Sequence, residues 1–104
     1  MYNPTESKAL AAHRANLLPL ALALAEQGHY TRVTRDALAQ AGGVAAGVVS
    51  TTFGTMVKMR RDLMRYAVQQ RNARVVGQGL AMNDPHAQKA PDELKRAALA
   101  ELGR

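Results

Sequence analysis

The residues with the clearest potential for chemistry are basic side chains and a run of small residues between them. Arg32, Arg35 and Lys58 can pair with phosphate groups, and Thr34 lies among them. Methyl groups of alanine and threonine can contact a thymine methyl group, and hydroxyls can bond a phosphate or a base edge. The small residues in question are Ala45, Ala46, Gly47, Ser50, Thr51 and Thr52. The chemistry they indicate is binding to double-stranded DNA.

The sequence lacks the combinations of residues that catalysis requires. Its three histidines, His13, His29 and His86, are scattered, and it contains no cysteine. It has no phosphate-cradling glycine loop, no Ser/His/Asp set at meaningful positions and no pair of carboxylates in an apolar context. We therefore expect the chain not to be an enzyme and to bind neither a metal ion nor another cofactor.

The first element that would position the DNA-binding residues is a short helix over about 34–41. Thr34 is a suitable N-cap, because its hydroxyl can accept a hydrogen bond from a backbone N–H of the first turn. Gly42 and Gly43 then end the helix, since glycine adopts the left-handed conformation without steric cost.

A second short helix follows over about 45–53 and ends at Gly54. Val48, Val49 and Phe53 cannot all be exposed to solvent, and the last two lie four residues apart on one face. Two short helices joined by a glycine turn are typical of a helix-turn-helix, in which the second helix enters the major groove of DNA.

Several residues of this unit match a family pattern in both order and spacing. They are Leu38-Ala39, Gly43-Val44, Gly47, Val49, Phe53 and Thr55, preceded by Gly28 and Tyr30 near the end of helix one. Over about residues 15–65 the sequence thereby resembles the DNA-binding domain of the TetR family. The resemblance implies an all-α fold: a three-helix helix-turn-helix domain, extended here by a long helix and a short C-terminal helix.

The sequence departs from that family pattern at four positions. Gly42 replaces the usual Ala, Ala45 replaces a Ser or Thr cap, and Ser50 replaces a Tyr that in the family commonly touches phosphate. Met56 stands where the family usually has Lys, although Lys58 lies nearby. The chain is also about half the length of a typical member, so the large C-terminal ligand-binding domain of the family does not fit in it.

The N-terminal part of the chain allows more than one interpretation. Residues 1–7 have the composition of a flexible arm, although Pro4 suits the first position of a helix. The apolar spacing predicts helix one over about 8–27. Pro19 removes a backbone hydrogen bond inside that helix, so we expect either a kink or a helix that begins afresh near Leu18.

Beyond Thr55 the apolar pattern predicts one long helix over about 55–80. Some of its apolar residues are more than a small domain can easily cover alone: Val57, Met64, Val68, Val75, Val76 and Leu80. A last helix over about 92–102 can pack on a partner or back onto the long helix, and the sequence leaves both alternatives open. We divide the chain into a helix-turn-helix domain at 8–65 and a helical dimerisation extension at 66–104.

The charge balance favours a polyanionic partner. The chain of 104 residues carries a formal charge of +6 and has a pI of about 10.3. Its N-terminus is polar, and it contains no apolar run of about 18 residues. We therefore expect a cytoplasmic protein without a membrane partner.

The leading functional hypothesis is a sequence-specific transcriptional regulator, more readily a repressor than an activator. It would bind a palindromic operator as a homodimer through the helix at about 45–53, and its small size would suit a phage or mobile element. The alternative is a small helical interaction module that pairs with another regulatory protein.

Overall fold

The computed structural model of this chain describes residues 4–103 and contains no strand in that range. The all-α class predicted from the sequence is therefore confirmed for the described residues. A short 3-10 turn occupies Tyr30–Arg32. The helices are α1 (Pro4–Gln27), α2 (Arg35–Gly42), α3 (Ala46–Phe53), α4 (Met56–Gln69), α5 (Ala73–Ala81), α6 (Pro85–Gln88) and α7 (Asp92–Leu102).

Helix α1 begins earlier than the sequence pattern predicted. It starts at Pro4, so residues 4–7 of the predicted arm belong to a helix, and residues 1–3 of that arm lie outside the described range. The helix continues through Pro19 and does not begin afresh near Leu18. Pro19 lies on the exposed side of α1. The opposite side of this helix packs in the core.

Local capping produces α2 and the turn after it. The Thr34 hydroxyl accepts a hydrogen bond from the Ala37 N–H at 3.1 Å, as the sequence predicted. Gly43 has a φ of 65°, and the Val44 N–H reaches back to the Ala39 carbonyl at 3.0 Å. This pairing across a left-handed residue is the Schellman arrangement. It turns the chain so that α3 can start at once.

Gly42, one of the departures from the family pattern, has a packing reason in this structure. A Cβ atom placed on Gly42 would lie only 2.6 Å from Cδ2 of Leu17. Leu17 is itself buried, so glycine at position 42 leaves room for a leucine of α1 against the end of α2.

The prediction of one long helix over 55–80 is wrong, because the chain breaks between α4 and α5. Arg71 adopts a left-handed conformation with a φ of 56°. The Asn72 N–H donates to the Ala67 carbonyl at 2.9 Å, which completes a second Schellman turn. Asn72 then caps α5, since its side-chain oxygen accepts from the Val75 N–H at 3.0 Å.

This break lets the C-terminal helices fold back on themselves. Helices α5 and α7 pack so closely that a Cβ atom on Gly77 would lie 2.7 Å from the Ala98 carbonyl oxygen. Of the two alternatives for the last helix, the structure has the one in which it packs on its own chain. Val75 and Val76, two of the apolar residues expected to need a partner, are fully buried by this packing, whereas Val57 is 75% exposed.

Hydrogen bonds around Tyr30 attach these C-terminal helices to the end of α1. The buried Tyr30 hydroxyl donates to the Asp84 carboxylate at 3.1 Å, and its backbone N–H donates to the Gln78 side chain at 2.9 Å. The Gln78 amide in turn donates to the Ala25 carbonyl at 2.9 Å. Burial, followed by the charge of Asp84 and its hydrogen bond, raises the pKa of Tyr30 from 10.0 to about 12.

Candidate nucleic-acid interface

Helix α3 is held in the core by one face, and its opposite face is open. Val49 and Phe53 are buried against the other helices, as the sequence predicted. On the other side Ala45, Gly47 and Thr51 are exposed. The remaining predicted contacts on this helix are half-buried: Ala46, Ser50 and Thr52. The described residues of the subunit thus cover the outer face of α3 only in part.

The two threonines of α3 present methyl groups and oxygen lone pairs rather than free hydroxyl hydrogens. The Thr51 hydroxyl donates to the Gly47 carbonyl at 2.8 Å, and the Thr52 hydroxyl donates to the Val48 carbonyl at 2.7 Å. A hydroxyl has one hydrogen to donate, so each side chain keeps its acceptor capacity and its methyl group for a partner.

An apolar groove runs between α3 and the N-terminal half of α1. Its volume is about 520 Å³. The lining residues are Ala9, Leu10, His13, Ala45, Gly47, Val48 and Thr51. Ala45, Gly47 and Thr51, three of the residues predicted from the sequence, therefore share one surface with α1. We define these seven residues as the α1–α3 groove.

Val48 is the α3 residue of this surface that the sequence did not predict as a contact, and the three α1 residues were not predicted either. The sequence grouped it with Val49 and Phe53 as a residue to be covered, whereas in the structure it is half-buried and lines the α1–α3 groove. The only available signal was its spacing: Val48 lies three residues before Thr51, so both lie on one side of a helix.

Two of the three basic residues predicted to bind phosphate lie at the starts of helices, whereas Arg32 ends the 3-10 turn before α2. Arg35 is the first residue of α2 and is exposed, with Thr34 at the N-cap before it. Lys58 is exposed in the first turn of α4. Its Cδ lies 3.2 Å from the position of a Cβ atom on Gly54, so the Lys58 side chain extends over the C-terminal end of α3.

The structure separates the predicted contacts into two groups along α1. Arg32 lines a small depression together with Leu24 and Ala37, near the C-terminal end of α1. The α1–α3 groove involves residues 9–13, near the other end. Helix α2 connects the two groups, and its eight residues span roughly 12 Å. Arg32 therefore does not line the groove that Ala45, Gly47 and Thr51 share with α1.

Arg14, to which the sequence analysis assigned no contact, lies between α3 and α4 and contacts both helices. Its guanidinium pairs with Asp62 of α4 at 2.7 Å and lies 5.5 Å from the centre of the Phe53 ring. Asp62 is thereby the partner of a residue on another helix. One cation thus links α1, α3 and α4 behind the open face of α3.

Positive charge is concentrated in the part of the chain that carries the candidate interface. Residues 8–65 contain eight Lys and Arg residues against three Asp and Glu, whereas residues 66–103 contain five against four. None of the described residues that line the α1–α3 groove is acidic. The electrostatic field near α3 therefore favours an anionic partner.

Among residues 4–103 no three side chains of His, Cys, Asp or Glu are grouped to hold a metal ion. No helix in the same range is long and apolar enough to cross a lipid bilayer.

Comparisons with known proteins do not assign the chain to a family. No family model matches it, and no curated protein or solved structure is significantly similar to it. The resemblance to the TetR-type domain consequently rests on the residues quoted above.

Proposed function

We propose that this chain is a DNA-binding transcriptional regulator of the TetR type that inserts α3 into the major groove. The observation that carries the proposal is the two-sided character of α3. Val49 and Phe53 anchor one face in the core, and small residues leave the other face open. A slender helix that projects from a scaffold is the element that helix-turn-helix proteins use to reach base edges.

Phosphate contacts would supply most of the affinity. Arg35 and Lys58 are exposed at the starts of α2 and α4, where the positive end of the helix dipole adds to their charge. Ala45 provides no side-chain cap for α3, so backbone N–H groups of its first turn are also available to an anion. Arg32 and Thr34 would extend this backbone contact, and binding should weaken steeply as salt is raised.

Specificity would come from methyl contacts and from DNA shape. Helix α3 contains no Arg, Lys, Asn or Gln, so the bidentate hydrogen bonds that distinguish guanine and adenine are not available from it. Alanine, threonine and valine methyl groups can contact thymine methyl groups, and the energy of deforming the duplex adds discrimination at positions that are not touched.

Two copies of the chain would be required, because one short helix reads only a few base pairs. A twofold dimer would read two half-sites roughly one turn of DNA apart, so the operator should be a palindrome. Val75 and Val76 are covered within the subunit, and Met82, at the end of α5, and the outer face of α7 are among the exposed apolar surfaces that could serve a dimer. Leu99 and Leu102 are 56% and 46% exposed there, three residues apart. Repression by occupying a promoter requires nothing beyond such binding.

The same two leucines support the second candidate function, a module that pairs with another regulatory protein. An exposed apolar pair on a terminal helix suits a helical partner as well as a second copy. Ser50 stands where the TetR family has a tyrosine that commonly touches phosphate, so the chain has fewer contacts to offer to DNA. This departure also favours the interaction module.

Selection of bound sites from random-sequence DNA tests the proposal directly. A symmetric consensus, together with a dimer in analytical ultracentrifugation, is the expected result. The contrary result is that no specific site is enriched at moderate salt and that the chain instead forms a defined complex with another regulatory protein. In that case the chain is an interaction module and the DNA-binding proposal is wrong.

Two variants test whether phosphate contacts and base contacts come from different residues. Arg35→Ala should weaken binding to all sequences alike and reduce the slope of log K against log salt concentration by about 0.9, because one phosphate contact is lost. Thr51→Ala should instead change the base preference at defined positions, measured by repeating the site selection. The reverse pattern would mean that α3 does not lie in the major groove.

A further inference from the structure

The α1–α3 groove has a chemical character that sets it apart from the rest of the candidate interface. Its described lining consists of two alanines, a leucine, a valine, a glycine, a threonine and His13. No Lys or Arg is among its described lining residues, and one cation, Lys8, is exposed on α1 directly before Ala9. A partner that fits this surface must therefore be apolar where it enters the groove and anionic around it.

The major groove of duplex DNA combines these two properties in one surface. The C5-methyl group of thymine is the one apolar feature of a natural base pair that projects into it, and phosphates line both of its edges. We propose, on the basis of the DNA-binding function proposed above, that the α1–α3 groove receives the C5-methyl groups of pyrimidines and that Val48 determines this preference.

Val48 is placed for this role by its neighbours. It is half-buried between the exposed Gly47 and the buried Val49, so its methyl groups reach the groove while its backbone stays fixed. Gly47 has no side chain to fill the groove. The space beside it is open, because nothing lies within 4 Å of a Cβ atom placed there. Leu10 closes the groove from α1, so a pyrimidine methyl group would be covered from two helices.

The experiment uses the full chain and a fluorescent duplex carrying the site that the random-DNA selection yields. Each thymine is replaced singly by uracil, which removes the C5-methyl group and leaves the hydrogen-bonding groups unchanged. At one or more positions in each half-site we expect affinity to fall about fourfold, the effect of exposing one methyl group. Cytosines at neighbouring positions are also replaced by 5-methylcytosine, which tests the C5-methyl group on another base.

Two variants assign the effect to the groove. Val48→Ala should reduce the ratio of thymine to uracil affinities at those positions to about one, and Leu10→Ala should reduce it in part. Val57→Ala is the matched control, because Val57 is a 75% exposed valine outside the groove, and it should leave the ratio unchanged. Thermal unfolding followed by circular dichroism verifies that the variants are folded.

The possible results separate this inference from the proposed function. Specific binding with equal affinity for thymine and uracil at every position would overturn the groove inference and leave the DNA-binding function intact. A fourfold effect that persists in Val48→Ala would also overturn it, because the methyl group would then be read elsewhere. Absence of binding to any DNA would overturn both.

Discussion

Helices α3 and α5 are similar in length and both contain glycine, yet their glycines have opposite surroundings. In α3, Gly47 has open space where a side chain would be. In α5, Gly77 lies against the backbone of α7, with the Ala98 carbonyl oxygen 2.7 Å from a Cβ position. The comparison shows that a small residue leaves open space beside one helix and lets the other approach a neighbour within the chain.

The two regions also differ in how their charges are used. Around α3 the described cations outnumber the acidic residues, and Arg35 and Lys58 extend into solvent. In the C-terminal region the charges are nearly balanced, and Arg71 pairs with Glu93 at 2.5 Å between the start of α5 and α7. A region with an excess of positive charge and a region with nearly balanced charge thus share one small chain.

The largest effect that tests this comparison is expected from Gly77→Ala. The new methyl group would overlap a backbone oxygen that cannot move without displacing α7, and overpacking of this kind should lower the free energy of unfolding by about 2 kcal/mol. Urea denaturation measures the change. Gly28→Ala is the control, because its nearest neighbour, the Leu24 carbonyl oxygen, is 3.7 Å away; a similar loss there would contradict the packing argument.

A smaller effect is expected from Tyr30, which joins the two regions. Tyr30→Phe removes the hydrogen bond to Asp84 and should lower the free energy of unfolding by about 1 kcal/mol at neutral pH. The folded chain holds the phenol proton more tightly than the unfolded chain. The contribution is therefore fully present below pH 10 and is lost as the pH rises towards about 12.

Urea denaturation of both proteins as a function of pH measures this dependence. The difference in stability between the native chain and Tyr30→Phe should shrink between pH 10 and 12, since other groups that titrate there are common to both. A difference that stays constant over that range would show that the Tyr30 hydroxyl is not buried beside a carboxylate.

Local signals made α2 and α3 predictable, whereas the C-terminal break was not. Thr34 and Gly43 are residues whose own chemistry favours a cap and a left-handed turn. The break between α4 and α5 uses the same turn geometry but places Arg71 at the left-handed position, a residue with no preference for it. The packing of α5 on α7 supplies the reason for the turn, and that packing is not visible in the sequence near residue 71.

Contacts between distant parts of the chain were also beyond sequence reasoning. The Tyr30–Asp84 hydrogen bond joins residues 54 positions apart, and Arg14 meets Asp62 across 48 positions. The α1–α3 groove depends on how α1 and α3 lie relative to each other, which the sequence pattern does not give, although residues 9–13 fall inside the helix predicted over 8–27. Val48 could be assigned to the groove only once that second wall was known.

The smallest effect expected in this comparison, Gly47→Ala, is the counterpart of Gly77→Ala. Alanine is the better helix former, and the added methyl group meets nothing within the chain, so the free energy of unfolding should rise by about 0.5–1 kcal/mol. On the proposed interface the same methyl group would narrow the α1–α3 groove and keep α3 from approaching the bases.

Thermal unfolding and DNA titration of Gly47→Ala should therefore move in opposite directions: a more stable protein that binds its selected site less tightly. Loss of both stability and affinity would mean that α3 is packed against a surface of this chain. A gain in stability with unchanged affinity would mean that the open face of α3 faces solvent when DNA is bound. The opposite movement of the two quantities distinguishes a helix kept slender for a partner from one that is simply small.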